Sequence, residues 1–192
     1  LYPEAHAGTC SARRVATGMC EVAEAHNFDP QLCGLVRTDV GSIMQGEKTT
    51  SPMGGLAKPD FIVVQNAYCD MIQFWFGWLA RYYKVPLYVL DCPTIHKGSN
   101  LKEIFAHVKR QLLDMISSIE EQFGVHLDYD RLEEVCRITQ RSNALFTEFL
   151  GLNKRTPAPI QVFDQWMHNF PTLCRGGYEE TAPELRRFVA AI

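Results

Sequence analysis

Residues 61–90, FIVVQNAYCDMIQFWFGWLARYYKVPLYVL, contain the clearest pattern of strand and helix in this sequence. The apolar residues 61–64 follow Lys-Pro-Asp and predict a buried strand. The residues Ile72, Trp75, Phe76 and Leu79 then recur at the spacing of one apolar helix face. Val85-Pro86 ends this helix, and residues 87–90 form a second apolar run. The order strand, helix, strand with short links predicts a parallel βαβ unit with a right-handed crossover.

Helical periodicity continues on both sides of this unit. The predicted helices cover about residues 8–27, a short segment from Gln31 that carries Cys33 and Arg37, 100–124, 130–150, 160–169 and 183–191. Residues 1–4 and the glycine- and serine-rich residues 41–55 predict loops. We therefore expect an α/β layer in residues 1–98 and a helical section in residues 99–192. Because two strands are too few for an independent sheet, either further strands lie outside this chain or the pattern does not reveal them. Residues 1–4 resemble a loop that leaves a strand, so we expect the chain to be a fragment, and its helical section could continue into a further domain.

Composition excludes several classes of protein. The net charge of −3 over 192 residues gives no basic surface for nucleic acid, and the apolar runs fall well short of the ~20 residues of a membrane span. The first residues lack the basic and apolar regions of a signal peptide. The 7 cysteines are odd in number and contain no CxxC pair, which argues against a disulfide framework or a structural zinc site. We expect a cytoplasmic protein.

Two cysteines lie at positions where they could be ligands of a metal cluster. Cys69 follows the first strand and precedes the amphipathic helix, at a corner where backbone N–H groups favour a thiolate. Cys33 opens the segment CGLVR. Thiolates are soft, anionic donors that suit iron–sulfur clusters. The spacing is also compatible with two cysteines that are buried in the core and bind no metal, since free cysteines are common there.

Three further residues carry candidate chemistry. His6, two residues after Glu4, has the side chain type that moves protons near neutral pH, although a histidine bonded to the backbone is the alternative. Arg37 lies one helical turn after Cys33 and has the donors to contact a cluster or a CoA group, or to form a surface ion pair. Asn66 ends a strand, where ligands of α/β sheets gather.

Aromatic residues 74–78 have two interpretations. They could line a pocket for an aromatic ring, but Trp75 and Phe76 share the apolar stripe of the predicted helix, which favours core packing. Trp78 lies off that stripe.

Six blocks in order resemble the benzoyl-CoA reductase and 2-hydroxyacyl-CoA dehydratase family. The blocks are Tyr2-Pro3-Glu4-Ala5-His6, CGLVRTDVG at 33–41, SPMGGLAKPD at 51–60, NAYC at 66–69, Val85-Pro86-Leu87 and Asp91-Cys92-Pro93. The first and third blocks look most like the large cluster-bearing subunits of ATP-dependent benzoyl-CoA reductases. Two positions depart from the pattern: Ala5 replaces the usual asparagine, and Cys92 is unusual before Pro93.

The resemblance implies a Rossmann-like parallel sheet domain around a 4Fe–4S cluster held by three cysteines of each subunit. Cys33 and Cys69 match two of them, while the third normally lies in a later domain and Cys174 matches no motif. It also implies a homologous second cluster subunit, an acyl-CoA substrate, and a separate ATP-hydrolysing activator that donates electrons, so that ATP is not bound by this chain.

The resemblance thus predicts an iron–sulfur subunit that performs two-electron, dearomatising reduction of an aromatic acyl-CoA. Cys33 and Cys69 are its predicted cluster ligands, Arg37 and Asn66 further cofactor-binding residues, and His6 a catalytic residue. A 2-hydroxyacyl-CoA dehydratase subunit with the same cysteines is the first alternative. A non-catalytic α/β binding module with buried cysteines is the second.

Overall fold

The computed structural model describes residues 2–67, 69–165, 169, 172 and 177–191, with only the backbone of residue 188. The chain divides into two compact units, Leu1–Val125 and His126–Ile192. The described part is mostly helical and contains a small parallel sheet.

The first unit holds five helices and two strands. In chain order these are α1 (Pro3–Ala12), α2 (Ala16–Ala25), α3 (Gly34–Gln45), β1 (Ile62–Gln65), α4 (Asp70–Tyr83), β2 (Leu87–Leu90) and α5 (Leu101–Phe123), with a short 3-10 turn at Gly46–Lys48. Helix α5 lies within the first unit, and the predicted division into residues 1–98 and 99–192 stays a prediction.

The βαβ unit has the predicted form. Strands β1 and β2 pair in parallel, with Ile62 opposite Leu87 and Gln65 opposite Leu90. Helix α4 connects them and ends at Lys84, which adopts the left-handed conformation. The predicted stripe of α4 is buried in the core, with Trp75 2% exposed. The two parallel strands with their connecting helix agree with the predicted α/β class, and a larger Rossmann-like sheet stays a prediction.

The loop predicted over residues 41–55 is wrong for residues 41–48, which are helical, and is confirmed for residues 49–55. Helix α3 continues to Gln45, and the 3-10 turn follows it directly. The reason is its unusual buried face, which combines Val36 and Val40 with small or polar residues: Thr38, Asp39, Gly41 and Ser42. A face of this composition lacks the apolar periodicity from which a helix is recognised.

The first helix pair also differs from the prediction. The single helix expected over about residues 8–27 is interrupted at residues 13–15, where Arg14 has a φ of 61°. Helix α1 begins at Pro3, so the predicted loop over residues 1–4 is wrong for its described end. Proline suits this position because its fixed φ matches the helix and the first N–H has no helical partner.

Helices α2 and α3 approach each other closely at Gly41. A Cβ atom built on this residue would lie 1.8 Å from the carbonyl oxygen of Met19, which is fully buried. Only glycine permits this distance, because any side chain would overlap the backbone of α2. The position of α3, and with it the loop that carries Cys33, depends on this contact.

The second unit contains α6 (Tyr129–Gly151) and α7 (Thr181–Ala191), with a 3-10 turn at Leu152–Lys154. Asp128 caps α6 by accepting a hydrogen bond from the backbone N–H of Arg131 at 2.9 Å. Of the helix predicted near residues 160–169, residues 162–165 and 169 are described, and they are helical. Among the described residues, no helix has both the length and the apolar character that crossing a membrane requires.

Candidate functional site

Cys33 and Cys69 occupy the same position on two different helices. Cys33 is the N-cap residue of α3, and Cys69 is the N-cap residue of α4, directly after the loop that leaves β1. Both are free and exposed. The helix expected to carry Cys33 begins only at Gly34, so this thiol stands before the helix rather than on its side. Each thiol thus lies beside backbone N–H groups that have no helical acceptor, an environment that favours an anion.

These two thiols do not form a complete metal site by themselves. Within residues 2–67, 69–165, 169, 172 and 177–191, no group of three histidine, cysteine or acidic side chains is arranged to hold a metal ion. Cys174 lies outside the described residues. The donor set therefore fits two ligands of an iron–sulfur cluster and leaves at least one ligand to be supplied from elsewhere.

Arg37 is bound to protein groups. Its guanidinium forms an ion pair with Glu24 on α2, and its Nε donates to the carbonyl oxygen of Leu32 at 3.0 Å. The arginine side chain is 18% exposed. Arg37 therefore ties the loop before Cys33 to α2, and the ion pair considered from the sequence is present.

Asn66 joins the carboxyl ends of the two strands. Its Nδ2 donates to Asp91 Oδ1 at 2.6 Å, and its Oδ1 accepts from the backbone N–H of Cys92 at 2.7 Å. This arrangement places Asn66 at the predicted edge of the sheet, three residues before Cys69. Its amide holds the segment after β2 in place.

A polar cluster that sequence patterns did not reveal adjoins Asn66. His107 and Gln111, one turn apart on α5, both contact Asp91: His107 Nε2 lies 3.0 Å from Asp91 Oδ2, and Gln111 contacts the backbone of Asp91. The available signal was the position of Asp91 directly after a predicted strand. The partners on α5 had no such signal, because their distance in sequence is 16 residues or more.

His6 lies at the centre of a buried network. Its Nδ1 is 2.5 Å from Asp39 Oδ1, and its Nε2 is 2.8 Å from Ser51 Oγ. Cys10 Sγ lies 3.7 Å from the same Nε2. His6 and Asp39 have no exposed surface, and Ser51 is 9% exposed. The network joins α1, α3 and the loop after the 3-10 turn, and it occupies both nitrogens of the predicted catalytic histidine.

Burial shifts the pKa values of two acidic side chains in this region. It raises the pKa of Asp39 to about 7, against a partial opposing effect of the His6 hydrogen bond. It likewise raises the pKa of Glu4, and repulsion between Glu4 and Asp39 adds to the effect on the pKa of Asp39. Among the described residues, Glu4 Oε2 and Asp39 Oδ2 have no hydrogen-bond partner. Burying two unsatisfied carboxyl oxygens favours their protonated forms.

The aromatic residues of α4 divide between core and surface. Trp75 and Phe76 are buried, which confirms the core-packing interpretation for these two. Phe74 is 44% exposed. Trp78 packs against the core through Phe28, with ring centroids 5.4 Å apart, and stacks on Tyr82. Most of this aromatic run therefore serves the interior of the protein.

Comparison with known proteins identifies the family. The model of the 2-hydroxyglutaryl-CoA dehydratase, D-component family matches residues 3–192. The chain is 29% identical over 182 residues to the alpha subunit of (R)-phenyllactyl-CoA dehydratase from Clostridium sporogenes, covering 95% of this chain and 44% of that protein. It is 25% identical over 190 residues to the alpha subunit of (R)-2-hydroxyisocaproyl-CoA dehydratase from Clostridioides difficile, covering 98% and 46%.

A reductase subunit has nearly the same sequence identity to this chain as the dehydratase subunits have. The B subunit of benzoyl-CoA reductase from Thauera aromatica is 28% identical over 163 residues, covering 84% of this chain and 37% of that protein. The chain thus spans less than half the length of these curated relatives. Since the family model extends over nearly every residue, the chain belongs to the 2-hydroxyglutaryl-CoA dehydratase, D-component family.

Proposed function

We propose that this chain is part of an iron–sulfur subunit of an enzyme that acts on an acyl-CoA thioester. The observation that carries the proposal is the matched position of Cys33 and Cys69, two exposed free thiols at the N-termini of α3 and α4. Family membership adds that the named relatives act on CoA thioesters. The third cysteine ligand would come from outside the described residues.

In this proposal Cys33 and Cys69 hold a 4Fe–4S cluster, which supplies electrons at low potential when bound. Each of these cysteines lies at a helix N-terminus, the end of the helix that carries partial positive charge. Arg37 and Asn66 are proposed to act near the cluster through the loops that they hold, because their polar groups already bind Glu24, Leu32, Asp91 and Cys92. His6 is proposed to hold a proton within its network with Asp39 and Ser51.

For the reaction, we propose two-electron dearomatising reduction of an aromatic acyl-CoA. Support comes from the two blocks that most resemble benzoyl-CoA reductases, residues 2–6 and 51–60, which meet in the hydrogen bond between His6 and Ser51. The two blocks are therefore one structural feature of the chain. A homologous cluster subunit, an ATP-hydrolysing activator and a cytoplasmic location belong to the same proposal.

Dehydration of a 2-hydroxyacyl-CoA is the second candidate. It is favoured by the names of the relatives, since alpha subunits of phenyllactyl-CoA, 2-hydroxyisocaproyl-CoA and lactoyl-CoA dehydratases all match this chain. The identities of 29% for the first of these and 28% for the reductase do not separate the two reactions.

The test uses the full-length protein, assembled anaerobically with its partner subunit and activator. Benzoyl-CoA and phenyllactyl-CoA are supplied separately, and the products are identified by mass spectrometry. A cyclic diene from benzoyl-CoA is the expected result. Dehydration of phenyllactyl-CoA without ring reduction would transfer the assignment to the second candidate. If neither thioester reacts and no iron is bound, the chain is a binding module without catalysis.

A further inference from the structure

We propose that His107 and Asp91 form an acid–base pair that exchanges a proton with the thioester substrate. This inference rests on the proposed function, and it concerns the carboxyl edge of the sheet. Asp91 follows β2, and its neighbour Asn66 follows β1. Ligands of parallel α/β sheets bind at this edge. His107 reaches it from α5, with 34% of its side chain exposed.

The hydrogen bonds of His107 fix its tautomer. Arg110 Nη2 lies 3.2 Å from His107 Nδ1, and a guanidinium only donates hydrogen bonds. Nδ1 must therefore be the acceptor, which leaves the imidazole proton on Nε2. This proton is donated to Asp91 Oδ2 at 3.0 Å. The ring is thus neutral, oriented by a carboxylate on one side, with its lone pair on the other.

Asp91 is held in place more firmly than its exposure suggests. Gln111 accepts a hydrogen bond from the backbone N–H of Asp91 at 2.8 Å and donates to its carbonyl oxygen at 2.9 Å. Asn66 donates to the second carboxylate oxygen. The hydrogen bonds from Asn66 and His107 lower the pKa of Asp91, which keeps it ionised although its side chain is 56% exposed. A fixed carboxylate behind an imidazole is an arrangement used in general acid–base catalysis, in which the ring takes up and gives a proton at its other nitrogen.

The proton transfer by His107 balances in atoms and electrons. Reduction of the ring adds protons to carbon atoms that have gained electrons, so His107 acts as the acid in this step. Nδ1, released by Arg110, first takes a proton from solvent, and the imidazolium keeps its Nε2 proton on the carboxylate of Asp91. The Nδ1–H bond then breaks with its electron pair left on Nδ1, and the proton forms a C–H bond with the electron pair of the reduced substrate anion. The imidazole is neutral again, and Arg110 returns to Nδ1.

The test compares His107→Gln and Asp91→Asn in the full-length protein, assembled with partner subunit and activator. His26→Gln is the matched control, since His26 is an exposed histidine that bonds the carbonyl oxygen of Val22 on α2. We expect His107→Gln to lower kcat by about 100-fold or more with little change in KM, the usual size of general acid–base catalysis. Asp91→Asn is expected to lower kcat less, and the control to leave it unchanged.

A second readout does not depend on turnover. Diethyl pyrocarbonate modifies neutral histidines, and mass spectrometry locates the product. We expect benzoyl-CoA to protect His107 and not His26 in the assembled protein. Equal modification of His107 with and without the thioester, or unchanged kcat and pH profile in His107→Gln beside an active wild type, overturns this inference alone. A wild-type complex that converts no thioester overturns the proposed function and the role of His107 with it.

Discussion

Nδ1 of His6 lies 2.5 Å from Oδ1 of Asp39, although 33 positions separate the two residues and neither is exposed to solvent. This contact joins α1 to the middle of α3, the helix whose N-terminus carries Cys33. A hydrogen bond between a buried acid and base is electrostatically stronger than one in bulk solvent, and neither side chain here is exposed. The stability of the first unit therefore depends on their protonation.

The raised pKa of Asp39 predicts a pH dependence of stability. Its carboxyl titrates near pH 7 in the folded protein and near its ordinary value of 3.8 when unfolded. Between these values the unfolded chain releases the proton first, so the free energy of unfolding falls as pH rises from about 4 to about 7. Above that range this contribution is absent. Asp39→Asn, which cannot ionise, is expected to reduce the slope, and the raised pKa of Glu4 leaves a remainder of the same sign.

Urea denaturation of the full-length protein between pH 4 and 8 measures this effect. Asp130→Asn on α6 is the control, since Asp130 is exposed and its replacement should keep the slope of the wild type. Parallel curves for wild type and Asp39→Asn would contradict the account.

Gly41→Ala is expected to destabilise the first unit by about 3 kcal/mol or more, because the new Cβ would overlap the carbonyl oxygen of Met19. Gly18→Ala is the matched control: Gly18 lies on α2 next to Met19, and a Cβ there meets no atom within 4 Å. The control should gain up to about 1 kcal/mol from helix propensity. Thermal denaturation of both variants checks the prediction, and equal melting temperatures would argue against the close packing of α2 and α3.

Phe74 and Trp75 are adjacent on α4, but we expect their replacement by alanine to lower the free energy of unfolding by very different amounts. Trp75→Ala should reduce the free energy of unfolding by about 3–5 kcal/mol, because it empties a buried site in the core. Phe74→Ala removes a 44% exposed ring and should cost about 0.5 kcal/mol or less. Chemical denaturation distinguishes these values, and similar costs for the two would mean that α4 buries a different face.

The ion pair between Arg37 and Glu24 predicts that their replacements have coupled effects on the free energy of unfolding. Each single replacement, Arg37→Gln or Glu24→Gln, should destabilise the fold, and the double variant should cost less than their sum by about 0.5–1 kcal/mol. If Arg37 also contacts the cluster, its replacement alters the visible spectrum of the iron-loaded protein while Glu24→Gln leaves the spectrum unchanged. Strict additivity of the unfolding free energies would show that the ion pair does not form.

The βαβ unit was predictable because its signals are local. The stripe of α4, the break at Pro86 and the two apolar runs each follow from neighbouring residues, and the parallel pairing follows from their order. Helix α3 was not predictable in full, since its buried face uses Thr38, Asp39 and Ser42 in place of apolar side chains. These residues are buried because they find partners in distant segments.

In the candidate site, too, local motifs were predictable from the sequence, whereas contacts between distant segments were not. Cys33 and Cys69 were recognised from their motifs, and the structure adds that both are N-cap residues. The contacts of His6 with Asp39 and Ser51 join segments 33 and 45 residues apart, which periodicity does not reveal. The same holds for His107, whose partner Asp91 is reached only once α5 packs beside β2.

Cys33 and Cys69 are proposed as two ligands of an iron–sulfur cluster. Iron and acid-labile sulfide, measured per full-length protein after anaerobic reconstitution, test this most directly across wild type, Cys33→Ser, Cys69→Ser and the control Cys136→Ser, an exposed free cysteine on α6. The account predicts about four iron and four sulfide ions in wild type and control, and a loss or altered spectrum in the other two. Full iron and sulfide with an unchanged spectrum in both Cys33→Ser and Cys69→Ser, or no iron in wild type, would contradict it.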